Sequence, residues 1–308
     1  MYENTNAREL ATRVVMMPRD TNGQGNIFGG VILSHIDLAG AVVARLACGR
    51  RRTKRIVTRA MDSVEFSKPV LVNDILTCYG TITFIGHTSI GVHVDVEVDR
   101  AGIIIPVTDA DVVYVAVNSR GKPTPVGCKG SCGSLAGSSS GGRRRKARSA
   151  QSAVQQRLIE SPAYCSFGGE RVLALKKVMM PFETNGMGNI FGGVLLSHMD
   201  QAGAYVARRA CASKFIERCV TAAMDKVEFK QPVLVNDVLS CWGTVTRIGK
   251  TSISVHVEVE ADRAGSIIPV TSADLVFVAL DRRGKPAPVT CSADSSCHDR
   301  PSQDPCAS

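Results

Sequence analysis

No apolar run in the 308 residues reaches the roughly 18 needed to cross a bilayer, so a membrane-spanning segment is not expected. The stretch Met1 to Leu10 is polar and mixed in charge, without the apolar core of a secretory signal. Cys-x-x-Cys pairs are missing although the chain has eleven cysteines, so the spacing of a structural zinc site is absent and no metal is expected. Cys48, Cys78, Cys211, Cys219 and Cys241 lie in apolar surroundings and read as small buried hydrophobes; the others fall in 127–170 and in the tail. Free thiols and no export signal point to a reducing compartment, so a cytoplasmic location is expected.

The net charge of +9 would suit a nucleic-acid partner if it lay on a folded face. It does not. Lys129, Arg143, Arg144, Arg145, Lys146, Arg148 and Arg157 stand against Glu160 alone, so residues 127–160 carry two thirds of it. That region is rich in Gly and Ser and reads as a solvated linker. Nucleic acid is therefore not an expected partner. The hydrophobic and charged fractions, 44% and 21%, are ordinary for a soluble globular protein.

The chain is duplicated. Met16-Met17-Pro18 returns as Met179-Met180-Pro181, Thr21-Asn22-Gly23 as Thr184-Asn185-Gly186, and Gly121-Lys122-Pro123 as Gly284-Lys285-Pro286, without a gap between them. Each copy has the length of an ordinary domain, not of a solenoid repeat. The boundaries are 8–126 and 171–289, with a disordered linker over 127–170 and a disordered tail over 290–308. A short helix at Ala153–Ile159 is a weaker expectation.

Within the first copy, Arg8–Met17 reads as a strand ended by Pro18. The Asp, Asn and Gly of residues 20–26 form a turn-rich loop. A helix follows from Gly29 to about Cys48. Four strands come next: Ile56–Phe66, Asp74–Phe84, Ser89–Asp99 and Ile103–Val117. In Ser89–Asp99 the apolar residues alternate with His93, Asp95 and Glu97, the pattern of a half-buried antiparallel strand. The fold class is α+β, with one long helix against an antiparallel sheet.

The helix is too apolar for a solvent-facing one and holds one acid, Asp37, repeated as Asp200. A carboxylate there is costly unless hydrogen-bonded or used, and its pKa should be raised. It serves either as a base or nucleophile, or only as a partner to a nearby amide or hydroxyl. Asn26, Gly29 and Gly30, repeated as Asn189, Gly192 and Gly193, lie at the helix start. They either polarise a substrate carbonyl with backbone N–H groups, or merely cap the helix and fit a tight turn. His35 and His198, two residues before the acids, point away from them on a helix. His93 and His256 fall on a solvated strand face. Asp62 and Asp225 read as strand-end or interface residues, or else as a second polar group in the site. Thr88, Ser89, Thr251 and Ser252 follow glycine turns and offer weak candidates for phosphate contacts.

Taken together, Met-Pro-x-[Asp/Glu]-Thr-Asn-Gly-x-Gly-Asn-Ile-Phe-Gly-Gly-Val followed by Ser-His-x-Asp-x-Ala-Gly-Ala resembles the hotdog-fold acyl-CoA thioesterases. Val64-Glu65-Phe66, Pro69-Val70, Asn73-Asp74 and Gly86-x-Thr88-Ser89 extend the resemblance over both repeats. It implies two hotdog domains, each a central helix wrapped by an antiparallel sheet, paired as an intramolecular double hotdog. It implies crossed sites, Asn26 with Asp200 and Asn189 with Asp37, both intact. It further implies an acyl-CoA substrate, coenzyme A as part of that substrate rather than a cofactor, and self-association of double hotdogs. A hotdog dehydratase would need a His before the helix, and Asp20 to Gly30 holds none. A non-catalytic acyl-CoA sensor or scaffold is the other rival, and binding of nucleic acid through Arg143 to Arg148 a third.

Overall fold

The computed structural model describes residues 7–22, 25–47, 55–118, 120–126, 165–166, 169–185, 188–211 and 218–289. Most of the linker, including 153–159 and the Arg143–Arg148 run, and the tail from 290 lie outside the described residues. The first repeat contributes β1 (Glu9–Val15), α1 (Gly29–Ala47), β2 (Arg55–Met61), β3 (Val64–Glu65), β4 (Ile75–Ile85), β5 (Ser89–Arg100) and β6 (Ile103–Val117). After a two-residue β7 (Cys165–Ser166), the second contributes β8 (Val172–Val178), α2 (Gly192–Ala210), β9 (Arg218–Met224), β10 (Val227–Glu228), β11 (Val238–Ile248), β12 (Ser252–Arg263) and β13 (Ser266–Leu280). Every strand pair is antiparallel.

Two expectations change. Ile56–Phe66 is not one strand: the chain breaks at Asp62-Ser63, where the Asp62 amide donates to the Asp111 carbonyl, and β3 crosses into the other repeat's sheet. There Val64 faces Met224 and Glu65 faces Ala223; in return β10 puts Val227 opposite Met61 and Glu228 opposite Ala60. One sheet therefore runs β1-β4-β5-β6-β2-β10, and the other β3-β9-β13-β12-β11 with β7 and β8 on β11. Secondly, the expected linker is not wholly without structure, since Ser166 and Cys165 pair with Arg247 and Ile248.

Each helix lies on its own sheet. In α1, Leu33, Ile36, Gly40, Val43 and Ala44 recur at helical spacing and are buried. Gly40 is needed there, because a Cβ would fall within 2.4 Å of the Tyr114 hydroxyl on β6. Among the described residues, α1 is the one helix that by length and hydropathy would qualify as a membrane span, although its sequence includes polar residues that interrupt a strict apolar run. It is instead the core helix of this fold, its middle occupied by the fully buried Asp37. The stripe Gly30, Ser34, Asp37 faces α2. A Cβ on Gly30 would meet the Ser197 Cα at 2.7 Å, and one on Gly193 the Ser34 Cα at 2.7 Å, so the helices touch backbone to backbone and run antiparallel. Ser34 Oγ bridges them, 2.5 Å from the Gly193 carbonyl and 2.9 Å from that of Gly30.

The loops before the helices are held by a charge pair. Asp74 is 2% exposed and receives Nε and Nη2 of Arg100 at 2.9 and 2.7 Å and the Leu71 amide at 2.8 Å. Burial pushes this carboxyl up, but the guanidinium and the amide outweigh it and hold it below the usual carboxylate range. Asn73 adopts φ +69°, which Asn tolerates better than most residues, and closes the turn. Leu71 in that turn forms a β-bridge with Asn26. Arg263, Asp237, Leu234 and Asn189 repeat the arrangement.

Candidate active site

Asp37 and Asp200 each lie where the two repeats meet. Asp37 Oδ2 accepts the Gly193 amide at 2.7 Å, and Oδ1 accepts the Thr58 hydroxyl of β2 at 2.7 Å. The Tyr114 hydroxyl donates to the Asp37 carbonyl at 2.7 Å and lies 3.3 Å from Oδ1. Asp200 repeats the pattern with the Gly30 amide at 2.8 Å and the Thr221 hydroxyl at 2.5 Å. Phe277 stands in the register place of Tyr114, so Asp200 has no matching phenol. Each carboxylate thus belongs to one repeat, and the helix start that holds it to the other. The Gly30 and Gly193 amides, expected at a substrate carbonyl, here donate to the carboxylates.

Both acids are fully buried, and desolvation pushes both up to about 6 against the hydrogen bonds that favour the charged form. In the unfolded chain an Asp ionises near about 3.9. The folded state therefore holds protons more tightly, and the stability this gives is full below pH 4 and is lost as pH rises through 6. The Asp37→Asn/Asp200→Asn protein lacks the effect. Its melting temperature relative to the parent is expected to rise between pH 5 and pH 7.5, by the equivalent of about 1 kcal/mol per carboxylate. A difference independent of pH would mean that neither acid is perturbed.

A cleft of about 650 Å³ opens beside Asp37, which lies behind Thr58 and Gly192 and does not itself line it. Thr58, Ile56 and Val115 line it from the first repeat; Asn189, Gly192 and Phe229 line it from the second. The structure therefore brings Asn189 and Gly192 together with the Thr58 that holds Asp37. Asn189 is not the helix cap, a place taken by Phe191. Asn26 precedes α1 and Gly29 opens it, where a Cβ on Gly29 would strike Thr221 at 2.8 Å and Phe66 at 3.2 Å. Thr88 lines the cleft and Ser89 begins β5 beside it; Thr251 and Ser252 open β12 in the same way.

Other candidates lie elsewhere. His198 sits 3.4 Å from Glu183 rather than beside Asp200, and burial lowers its pKa, as it does for His35. His93 is not merely solvated: Asp111 at 3.2 Å, Asp95 at 3.4 Å and Asp109 at 3.9 Å surround it on the outer sheet face. Hydrogen bonds to Asp111 and Asp95 push it up to about 10. His256 keeps one such partner, Asp274, at 2.9 Å. Asp62 and Asp225 serve the strand crossovers and do not line the cleft; their amides donate to the Asp111 and Asp274 carbonyls. Cys78, Cys211, Cys219 and Cys241 are free thiols. Among the described residues no group of three or more His, Cys, Asp or Glu side chains is placed to hold a metal. Tyr114 was missed from the sequence; its signal was a Tyr-for-Phe difference, one of several between the strands Ile103–Val117 and Ser266–Leu280, and the one that adds a hydroxyl.

Comparison with known proteins gives the same picture. The acyl-CoA thioester hydrolase YciA of Salmonella typhimurium is 37% identical over 134 residues, covering 42% of this chain and 97% of its own. A hexameric hotdog-fold thioesterase of Campylobacter jejuni is 49% identical, over 38% of this chain and 90% of its own, with a TM-score of 0.35. A putative oleoyl thioesterase from Lactobacillus plantarum shares the fold over 90% of this chain and 98% of its own, at 8% identity and a TM-score of 0.60. The thioesterase superfamily domain itself is matched twice, at residues 24–103 and 187–268, more than half of the chain in all. With one helix and one sheet to each match, and the carboxylate of each facing the helix start of the other, the chain belongs to the thioesterase superfamily as a tandem pair of hotdog domains.

Proposed function

We propose that this protein hydrolyses acyl-CoA thioesters to a free acid and coenzyme A, at two centres built from Asp37 with Asn189 and from Asp200 with Asn26. The observation that carries the proposal is the buried carboxylate of one repeat seated on the glycine amide of the other, beside a cleft that Asn189 and Gly192 line. The names of the curated relatives supply the substrate class. With a pKa of about 6, Asp37 is ionised at neutral pH yet poorly solvated, which suits it to take a proton from water or to attack the carbonyl itself. Asn189 and the Gly192 amide at the start of α2 polarise the thioester carbonyl. Attack of the water oxygen forms a C–O bond as the C–S bond breaks, and the departing thiolate takes up the proton removed from water; if Asp37 attacks instead, the resulting acyl anhydride is then cleaved by water. The scheme uses water and no metal or redox cofactor. The exposed Ile103, Ile104 and Phe182 support association of these paired units with one another.

The test is thiol release from a panel of acyl-CoAs, short to long. The intact protein is expected to turn over at least one chain-length class. Binding of acyl-CoA with no thiol released from any of them would replace the hydrolase with a sensor.

A further inference from the structure

The two centres match in their carboxylates but not in what surrounds the cleft. Arg55, Arg59, Arg120 and Lys230 line the cleft beside Asp37, and among the described residues no carboxylate does. Arg59 follows Thr58 on β2, and one of its five N–H donors is given to the Phe229 carbonyl across the repeat boundary. That contact fixes the guanidinium between the repeats. Glu228, the nearest acid along that segment, pairs with Lys226 at 2.6 Å and also feels the charges of Arg59 and Lys230, so it competes only in part for them. By repeat register, Arg218 and Arg283 replace Arg55 and Arg120 at the other centre, but Ala222 replaces Arg59 and Ser67 replaces Lys230; Lys68 stands opposite Gln231. The guanidinium that follows the Thr holding the carboxylate thus has a counterpart in neither sequence nor charge at the other centre.

We propose that Arg59 and Lys230 bind the phosphates of the coenzyme A handle at the Asp37 centre only, so that the two centres differ in how strongly they require a phosphorylated carrier. This rests on the thioesterase reading above. Coenzyme A carries a diphosphate and a ribose phosphate, and a planar guanidinium pairs with such oxygens in a bidentate way that an Ala cannot replace. The fatty acyl end needs no charge and meets the apolar wall of the cleft, which includes Ile56, Val115 and Leu195.

The experiment compares one acyl group carried on coenzyme A and on pantetheine, which has no phosphate. Asp200→Asn leaves the Asp37 centre working alone, and Asp37→Asn leaves the other. The ratio of kcat/KM for the two carriers is expected to be higher in the Asp200→Asn protein and to fall with added salt. Adding Arg59→Ala and Lys230→Ser should lower that ratio about tenfold, the worth of one charge-assisted contact. Adding Ala222→Arg to the Asp37→Asn protein should raise it. A ratio unchanged by the double replacement, or a loss equal for both carriers, overturns the inference and leaves Arg59 as a staple for Phe229. Titration with free coenzyme A requires no turnover. It is expected to show two unequal sites in the parent and two equal ones after Arg59→Ala/Lys230→Ser/Gln231→Lys, which matches the register of Ala222, Ser67 and Lys68; equal sites in the parent also overturn it. Failure of the parent to hydrolyse either ester would instead remove the hydrolase reading.

Discussion

Thiol release is expected to fall at least about 100-fold when Asp37 and Asp200 are both changed to Asn, the scale on which positioned acid–base groups act. Asn keeps the shape of the side chain and can still accept the glycine amide, so the fold is retained while the charge is lost. Each single variant should keep the turnover of the remaining centre. The crossed geometry sharpens this expectation, because Asn189→Ala must then disable the same centre as Asp37→Asn. Combining those two should cost little more than either alone, whereas Asn189→Ala with Asp200→Asn should abolish activity. Were Asn189→Ala to pair instead with Asp200→Asn, the centres would be uncrossed. If one single Asp variant removed all turnover, only one centre would be working.

The next largest effect is expected from Gly193→Ala and Gly30→Ala. A methyl at either place would lie 2.7 Å from a Cα of the facing helix, and backbone cannot rotate aside as a side chain can. The helices must part, which overpacking data put at about 1–3 kcal/mol, and the glycine amide is drawn away from the carboxylate it holds. Gly193→Ala should lower the melting temperature and silence the Asp37 centre; Gly30→Ala should do so at Asp200. Gly192→Ala is the contrasting case. Its methyl meets Thr58 Cβ and Oγ1 at 3.0 Å and Asp37 Oδ2 at 3.2 Å, all of them side-chain atoms. Thermal unfolding should therefore rank Gly193→Ala well below Gly192→Ala, and equal melting temperatures would mean the helices are not packed on those glycines.

Much of this was legible in the residues. An acid inside an apolar helix and a glycine pair at its start are local features, and the duplication made each of them count twice. The strand Ile103–Val117 was placed to the residue because the Arg100-Ala101-Gly102 turn opens it and Gly121-Lys122-Pro123 closes the domain behind it. The exchange of β3 and β10 was not legible, since a two-residue strand has no period of its own and its partner lies in the other repeat. His93 was read as solvated because its three acids arrive from its own strand and the neighbouring one, and cross-strand contact is invisible along the chain. The ring of cations beside Asp37 draws Lys230 from one repeat and Arg59 from the other, a pairing that only the folded crossover creates.

That crossover bears on what a fused chain can do that a pair of separate chains cannot. When two identical subunits share two equivalent centres, every substitution is made twice and the centres stay alike. Here the equivalent positions are encoded separately, and because each centre borrows from both halves, one altered side chain reaches one centre and spares its twin. Tyr114 and Phe277, like Arg59 and Ala222, are differences of this kind. The covalent join has converted a two-fold axis from a rule that the molecule must obey into one that it only approximates, while the exchanged strands still prevent either half from forming a complete sheet on its own.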